Sequence, residues 1–212
     1  MKKQIIVVDY GLGNIRSVKQ SLNKIVEENN INALVRISKN LNVIKNATHT
    51  ILPGQGAFES CLKGMKKIKG LIDLLSENTL IKKKPFLGIC IGMQLLANKS
   101  YENGKHMGLG WIPGEIKKLP EKNNRLPHMG WNNVMFNNQN NQLIKNTKKK
   151  DFYFVHSYYF SCKHKKNQIG TTKYGLNFAS IVSKENIYGV QFHPEKSSEQ
   201  GLNILRNFIN LQ

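Results

Sequence analysis

Cys90 sits between paired glycines in Gly88-Ile-Cys-Ile-Gly92, directly after an apolar run and directly before a segment of good helix formers. A sharp strand-to-helix turn in that context presents a nucleophile, as the G-x-S-x-G elbow does for serine. Such a turn presses backbone segments together and strains the nucleophile's conformation, so side chains two residues to either side would collide. A buried structural cysteine accounts for Cys90 but not for its glycines. A helix starting there would add free N–H groups and a macrodipole that favour thiolate chemistry.

A thiol nucleophile needs a base, and Gln191-Phe-His-Pro-Glu195 supplies one. On an extended strand His193 and Glu195 share a face. The carboxylate can then hold one imidazole nitrogen while the other meets the thiol. A lone histidine is more often structural; a His-x-Glu pair together with a cysteine elbow is harder to dismiss.

A third element is Leu52-Pro-Gly-Gln-Gly56, a loop after a strand whose end is expected on the same sheet edge as Cys90. Backbone N–H groups of Gly54, Gln55 and Gly56, with that of Ile91, would form an oxyanion hole, each donor contributing about 3 kcal/mol to a tetrahedral intermediate. Taken alone, the same residues make an ordinary Pro-Gly turn.

Other chemistries find less support. Cys61, Cys90 and Cys162 form no CxxC pair and have no metal-like spacing with histidines, so neither a zinc site nor a disulfide framework is expected. Gly11-Leu-Gly13 is no dinucleotide fingerprint, because Arg16 takes the third glycine's place. No cofactor is expected. His49, His106, His128, His156 and His164 are assigned to structure or surface.

The elements that must position these groups alternate along the first half. Residues 5–9 form a buried strand, 15–28 a helix with Val18, Leu22, Ile25 and Val26 near helical spacing, and 33–37 and 50–52 further strands around a short helix at 41–46. A helical region at 58–76 breaks near Gly70, and strand 85–89 runs through Cys90 into helix 92–97. The expected class is α/β, with a doubly wound, mostly parallel sheet flanked by helices. The second half adds β-hairpins and strands at 116–119, 131–136, 152–159, 170–174, 180–183 and 189–192, with an Asn-rich loop at 137–146 and a closing helix at 198–211.

The 212 residues and 40% apolar content suit one compact domain with a substantial core. No signal-peptide core follows the N-terminus, and no run approaches the roughly 20 apolar residues of a membrane span, so a soluble cytoplasmic protein is expected. The net charge of +19 invites a nucleic-acid ligand. The excess is mostly lysine, spread over 66–67, 82–84, 148–150 and 163–166 with no interleaved aromatics, which fits solvated faces better.

Gly88-Ile-Cys-Ile-Gly-Met-Gln94 with Phe192-His-Pro-Glu195 resembles the class I (triad) glutamine amidotransferases. Further motifs resemble the glutaminase subunits of imidazole glycerol phosphate synthases from end to end. They are Val8-Asp-Tyr-Gly-Leu-Gly-Asn14, Pro53-Gly-Gln-Gly-Ala-Phe58, Gly108-Leu-Gly-Trp-Ile-Pro-Gly114, Pro127-His-Met-Gly-Trp-Asn132, Phe154-Val-His-Ser-Tyr158 and Phe192-His-Pro-Glu-Lys-Ser197.

The resemblance implies one amidotransferase domain over 1–212, with Cys90 as nucleophile, His193 as base and then acid, and Glu195 as its orienter. It implies Gln94, Glu102 and the backbone at Ser157 and Tyr158 as holders of the amino-acid end of glutamine. Gln94 suits that role on spacing too, one helical turn beyond Cys90. It further implies a heterodimer in which Asn14 and Trp131 face a (βα)8-barrel cyclase subunit. There the ammonia would enter imidazole glycerol phosphate in histidine biosynthesis, with the glutaminase dependent on its partner. Gln55 departs from the pattern, which usually has a small apolar residue between the two glycines.

Two alternatives stay open. A paralogous amidotransferase serving surface-sugar synthesis would carry the same triad. A basic nucleic-acid-binding protein with an incidental cysteine would bind DNA or RNA with steep salt dependence.

Overall fold

The computed structural model describes residues 2–122, 124–138, 140–148 and 150–212. Lys149 of the 148–150 lysine run and Gln139 of the Asn-rich loop lie outside the described residues. The first half runs β1 (Lys3–Val8), α1 (Ile15–Glu28), β2 (Ala33–Ser38), α2 (Leu41–Lys45), β3 (His49–Gly54), α3 (Phe58–Lys67), α4 (Leu71–Ser76), β4 (Phe86–Cys90) and the single turn α5 (Ile91–Gln94). β3 and β4 are buried along their whole lengths. Runs such as Thr-Ile-Leu and Phe-Leu-Gly-Ile suit strands covered on both faces.

The helices form where one face is apolar. α1 buries Val18, Leu22 and Ile25 and leaves its other side to solvent. The Asn40 side chain caps α2 by accepting from the N–H groups of Asn42 and Val43. Gly70, at φ 82°, separates α3 from α4, since a side chain there would be strained.

The second half runs β5 (Lys99–Ser100), β6 (His106–Met107), β7 (Gly114–Lys118), β8 (His128–Asn133), β9 (Met135–Phe136), β10 (Asp151–His156), β11 (Tyr158–Cys162), β12 (Gln168–Tyr174), β13 (Leu176–Lys184), β14 (Ile187–Val190) and α6 (Ser198–Asn210). The main sheet has the order β2-β1-β3-β4-β14-β13-β11-β7-β5-β6, with β12 on β13 and β9 on β12; β8 and β10 form a separate antiparallel ribbon. From β2 to β14 every pairing is parallel, and from β14 to β7 every pairing is antiparallel.

Right-handed crossovers put helices on both faces of the parallel half. β1 to β2 steps one way along the sheet, while β2 to β3 and β3 to β4 step the other way. Accordingly α1 packs with α6, and α4 with α2 and α3.

The register fixes what can meet. Gly54 lies opposite Cys90 across the β3–β4 pair, and Val190 lies opposite Ile89 across β14–β4. Thus the loop after β3, the elbow after β4 and the chain after β14 leave the same edge of the sheet. Beneath them Phe192 stacks on Phe152 at 4.0 Å, and the N–H of His193 donates to the carbonyl of Tyr153 at 2.9 Å.

The structure changes some expected elements. The strand expected over 152–159 is two, broken at Ser157, and that over 131–136 is also two. The Asn-rich loop contains a short 3-10 turn, Gln142–Ile144, that buries Leu143 and Ile144. β5 and β6 are too short to leave a periodic signal. Among the described residues, no helix is long and apolar enough to cross a membrane.

Candidate active site

Cys90 ends β4 with φ 55° and ψ −112°, a left-handed conformation that L side chains rarely adopt, and is 4% exposed. The glycines around it have the expected steric reason. A Cβ on Gly88 would lie 2.4 Å from the Gly92 carbonyl oxygen, and one on Gly92 would lie 1.8 Å from that of Leu52. Gly54 is held as tightly, its Cβ position 2.6 Å from the Gly92 nitrogen. The elbow therefore stands on β3 with no side chain between. The helix expected over 92–97 is only the turn Ile91–Gln94. A helix that short has little macrodipole, so its free N–H groups remain as the electrostatic contribution at Cys90.

His193 and Glu195 meet, though not by strand alternation. His193 starts a 3-10 turn, Pro194–Lys196, which folds the carboxylate back so that Nδ1 lies 2.9 Å from Glu195 Oε1. Pro194 suits the first position of that turn because it has no N–H to satisfy there. The Ser197 hydroxyl locks the turn by donating to the His193 carbonyl at 2.6 Å and accepting from the Tyr153 N–H at 3.0 Å.

Glu195 has no exposed side-chain surface. Its Oε1 also accepts from Asn14 Nδ2 at 3.1 Å, and its Oε2 is buried without a hydrogen-bond partner. Burial alone would lower the His193 pKa; the hydrogen bonds and charges of Cys90 and Glu195 outweigh it and push it up to about 10. Burial pushes Cys162 up to about 12 and Cys61 upward, which makes both poor nucleophiles at neutral pH.

Cys90 and His193 open onto a cavity of about 370 Å3, shared with Asn14, Gln55, Gly56, Ile91, Gln94, Glu102, His156, Ser157 and Tyr158. A larger depression of about 460 Å3 beside α1 and α6 holds neither the thiol nor the base. Of the expected oxyanion residues, Gln55, Gly56 and Ile91 line the cavity, whereas Gly54 packs under the elbow. The Tyr10 hydroxyl donates to the Pro53 carbonyl at 2.6 Å, and the Cys61 thiol donates to that of Gln55 at 3.4 Å. Since a planar trans peptide sets C=O and N–H on opposite sides, the Gly56 N–H points away from Cys61.

Gln94 Nε2 donates to the Tyr158 carbonyl and to Gln191 Oε1, both at 3.0 Å, leaving a buried Oε1 without a partner. Gln191 in turn donates to Cys90 Sγ at 3.8 Å. Glu102 Oε2 accepts from the Phe58 N–H at 2.7 Å, where it caps α3, whose own N-cap, Ala57, has no side-chain acceptor. Trp131 lies apart from the cavity, 54% exposed on β8 and edge-on to Tyr153.

Sequence reasoning missed three contacts of the candidate site. Asn14, expected only at a partner interface, donates to Glu195, and Gln191 touches Cys90; it is part of the quoted His-x-Glu segment, two residues before His193. His156, assigned to structure or surface, lines the cavity. Among the described residues, no cluster of His, Cys, Asp and Glu could hold a metal.

The Glutamine amidotransferase class-I model matches residues 6–211, and the chain belongs to that family. The fold agrees. A crystal structure of a glutamine amidotransferase superposes with a TM-score of 0.68 at 16% identity, covering 96% of each chain. A glutamine amidotransferase from Thermotoga maritima gives 0.62 at 18%, over 94% of this chain and 79% of that one. Sequence relatives are more specific. The imidazole glycerol phosphate synthase subunit HisH of Pelagibacter ubique is 43% identical, covering 98% of this chain and 99% of its own. Subunit HisH 2 of Methanococcus maripaludis is 46% identical, covering 97% and 98%.

Proposed function

We propose that this chain is the glutaminase subunit of an imidazole glycerol phosphate synthase, releasing ammonia from glutamine for a cyclase partner in histidine biosynthesis. The observation that carries the proposal is the strained Cys90 elbow opening onto one cavity with the His193–Glu195 pair. Full-length relatives of the HisH subunit supply the acceptor pathway.

In this mechanism the Cys90 thiol gives its proton to His193 and attacks the side-chain amide carbon of glutamine. Charge on the amide oxygen meets the N–H groups of Ile91 and of the Gln55–Gly56 segment. His193 returns the proton to the leaving nitrogen, and ammonia departs. Water, deprotonated by the same imidazole, then hydrolyses the γ-glutamyl thioester to glutamate and free thiol. Glu195 and Asn14 hold the ring in place throughout. The unpartnered Gln94 Oε1 and the Glu102 carboxylate accept from the substrate ammonium, while the Ser157–Tyr158 backbone meets its carboxylate.

Free ammonia would be protonated in water, so it needs a dry route to a docked acceptor. We assign that acceptor to a (βα)8-barrel cyclase, with Trp131 and the Asn14 loop on the docking side. Pull-down from the native cell, followed by glutaminase assay with and without the recovered partner, tests this. A cyclase that raises glutaminase activity is expected. Recovery of a nucleotide-sugar enzyme instead would transfer the same triad to a surface-sugar pathway.

A further inference from the structure

Behind the substrate end of the cavity, His128 and His156 form a buried chain, with His128 Nδ1 and His156 Nε2 2.9 Å apart. His156 Nδ1 lies 2.8 Å from the Tyr158 carbonyl, and His128 Nε2 lies 3.0 Å from Asn132 Nδ2. Asn132 is oriented independently. Its Oδ1 accepts from the Asn133 N–H at 2.8 Å, and its Nδ2 donates to the Lys173 carbonyl at 3.1 Å.

Both ends of the chain therefore have fixed polarity, and only one arrangement of protons satisfies it. At one end a carbonyl can only accept, so His156 Nδ1 carries a proton. At the other end the Asn132 amide donates, so His128 Nε2 is bare and its proton lies on Nδ1. His128 Nδ1–H then donates to a bare His156 Nε2. A second proton on either ring would set two donors against each other. Packing encloses the chain: Tyr174 and Phe154 stack on His128 at 4.1 and 4.9 Å, and Phe178 lies edge-on to His156 at 5.1 Å. Burial acts in the same direction, lowering His128 to about 4 and His156 to about 3.

The far end of this chain matters for recognition. The Leu119 N–H donates to the Ser157 carbonyl at 2.9 Å, so the next residue, Tyr158, points its N–H and C=O together away from β7. Its carbonyl takes His156 and Gln94 as two donors. Fixing that carbonyl sets the Tyr158 N–H on the same side of the strand. It also commits the Gln94 NH2 group and leaves the buried Gln94 Oε1, in a residue of the cavity wall, as an acceptor without a partner.

We infer that His128 and His156 are positioning residues, a one-directional neutral relay that sets the Tyr158 peptide and the Gln94 amide to receive the amino-acid end of the substrate. This rests on the glutaminase function proposed above. Two measurements test it. In the 15N-histidine-labelled chain, long-range proton–nitrogen correlations at pH 7 should show both rings neutral and protonated at Nδ1. An Nε2–H tautomer or an imidazolium at either residue overturns the relay, whatever the chain's activity.

The second measurement compares His156→Leu with His156→Asn in the complex with the recovered partner. Leucine fills the space but removes the donor; asparagine is smaller but keeps a nitrogen donor near the Nδ1 position. The glutamine KM should rise about tenfold in His156→Leu with kcat within threefold, and His156→Asn should restore most of the loss. A merely structural histidine would give the opposite order, with leucine the better tolerated, and that result overturns the proposal. If the wild-type complex lacks glutaminase activity, the functional proposal fails while the tautomers still decide the relay.

Discussion

Replacing Asn14 by alanine removes one of two donors to a buried carboxylate. Glu195 Oε1 accepts from Asn14 at 3.1 Å and from His193 at 2.9 Å, and Oε2 has no partner. A hydrogen bond to a charged group contributes about 1.5–3 kcal/mol, and Asn14→Ala takes that donor from the buried Glu195 Oε1. If that energy holds the imidazole in line with Cys90, each 1.36 kcal/mol corresponds to a tenfold change in rate. Glutaminase kcat/KM at saturating partner should then fall about 10- to 100-fold. Asn14 is also proposed on the docking side, so partner affinity must be measured separately by calorimetry and the kinetics taken well above that Kd. A kcat/KM within threefold of wild type under those conditions would refute a role for Asn14 at the triad.

Two other predictions follow from the same geometry. Gly92→Ala would place a Cβ 1.8 Å from the Leu52 carbonyl oxygen, forcing the elbow away from β3. Overpacking of this kind costs roughly 1–3 kcal/mol, so Tm should fall by about 2–12 °C, with glutaminase turnover lost along with it; an unchanged Tm would contradict the close packing. Stability should also fall on mild acidification. His49, His128 and His156 have folded pKa values lowered to about 4, 4 and 3, so their contributions are complete above the unfolded value near 6.5 and are lost as pH falls through that window. His193, raised to about 10, has the opposite sign: its contribution is complete below about 6.5 and is lost as pH rises through 10. Between pH 6 and 5 the three lowered groups dominate, and denaturant titration should show a loss of about 3–4 kcal/mol from roughly three protons at 1.36 kcal/mol each. A flat profile there would contradict neutral buried histidines.

The parallel half was legible because its signals are local. The apolar spacing of Val18, Leu22 and Ile25 predicts α1 over Ile15–Glu28, and the observed helix has those bounds. The paired glycines of the elbow were legible because their requirement is steric and lies within two residues of Cys90. His193 and Glu195 were legible as a pair, but alternation along a strand was the wrong geometry; a turn at Pro194 joins them. What escaped is long-range. Asn14 reaches Glu195 across 181 positions, and His128 meets His156 across 28, so no periodicity or spacing marks either contact. Glu102 had no derivable role because the N–H it caps belongs to α3, 44 residues upstream.

The central claim is that Cys90 frees ammonia for a partner. It is tested most directly in the Cys90→Ala complex by measuring product formation from glutamine and, separately, from ammonium salt. Glutamine-dependent turnover should disappear while ammonia-dependent turnover stays within about twofold of wild type, since the acceptor site lies on the other subunit. Persistent glutamine-dependent turnover in Cys90→Ala would contradict the assignment of Cys90 as nucleophile.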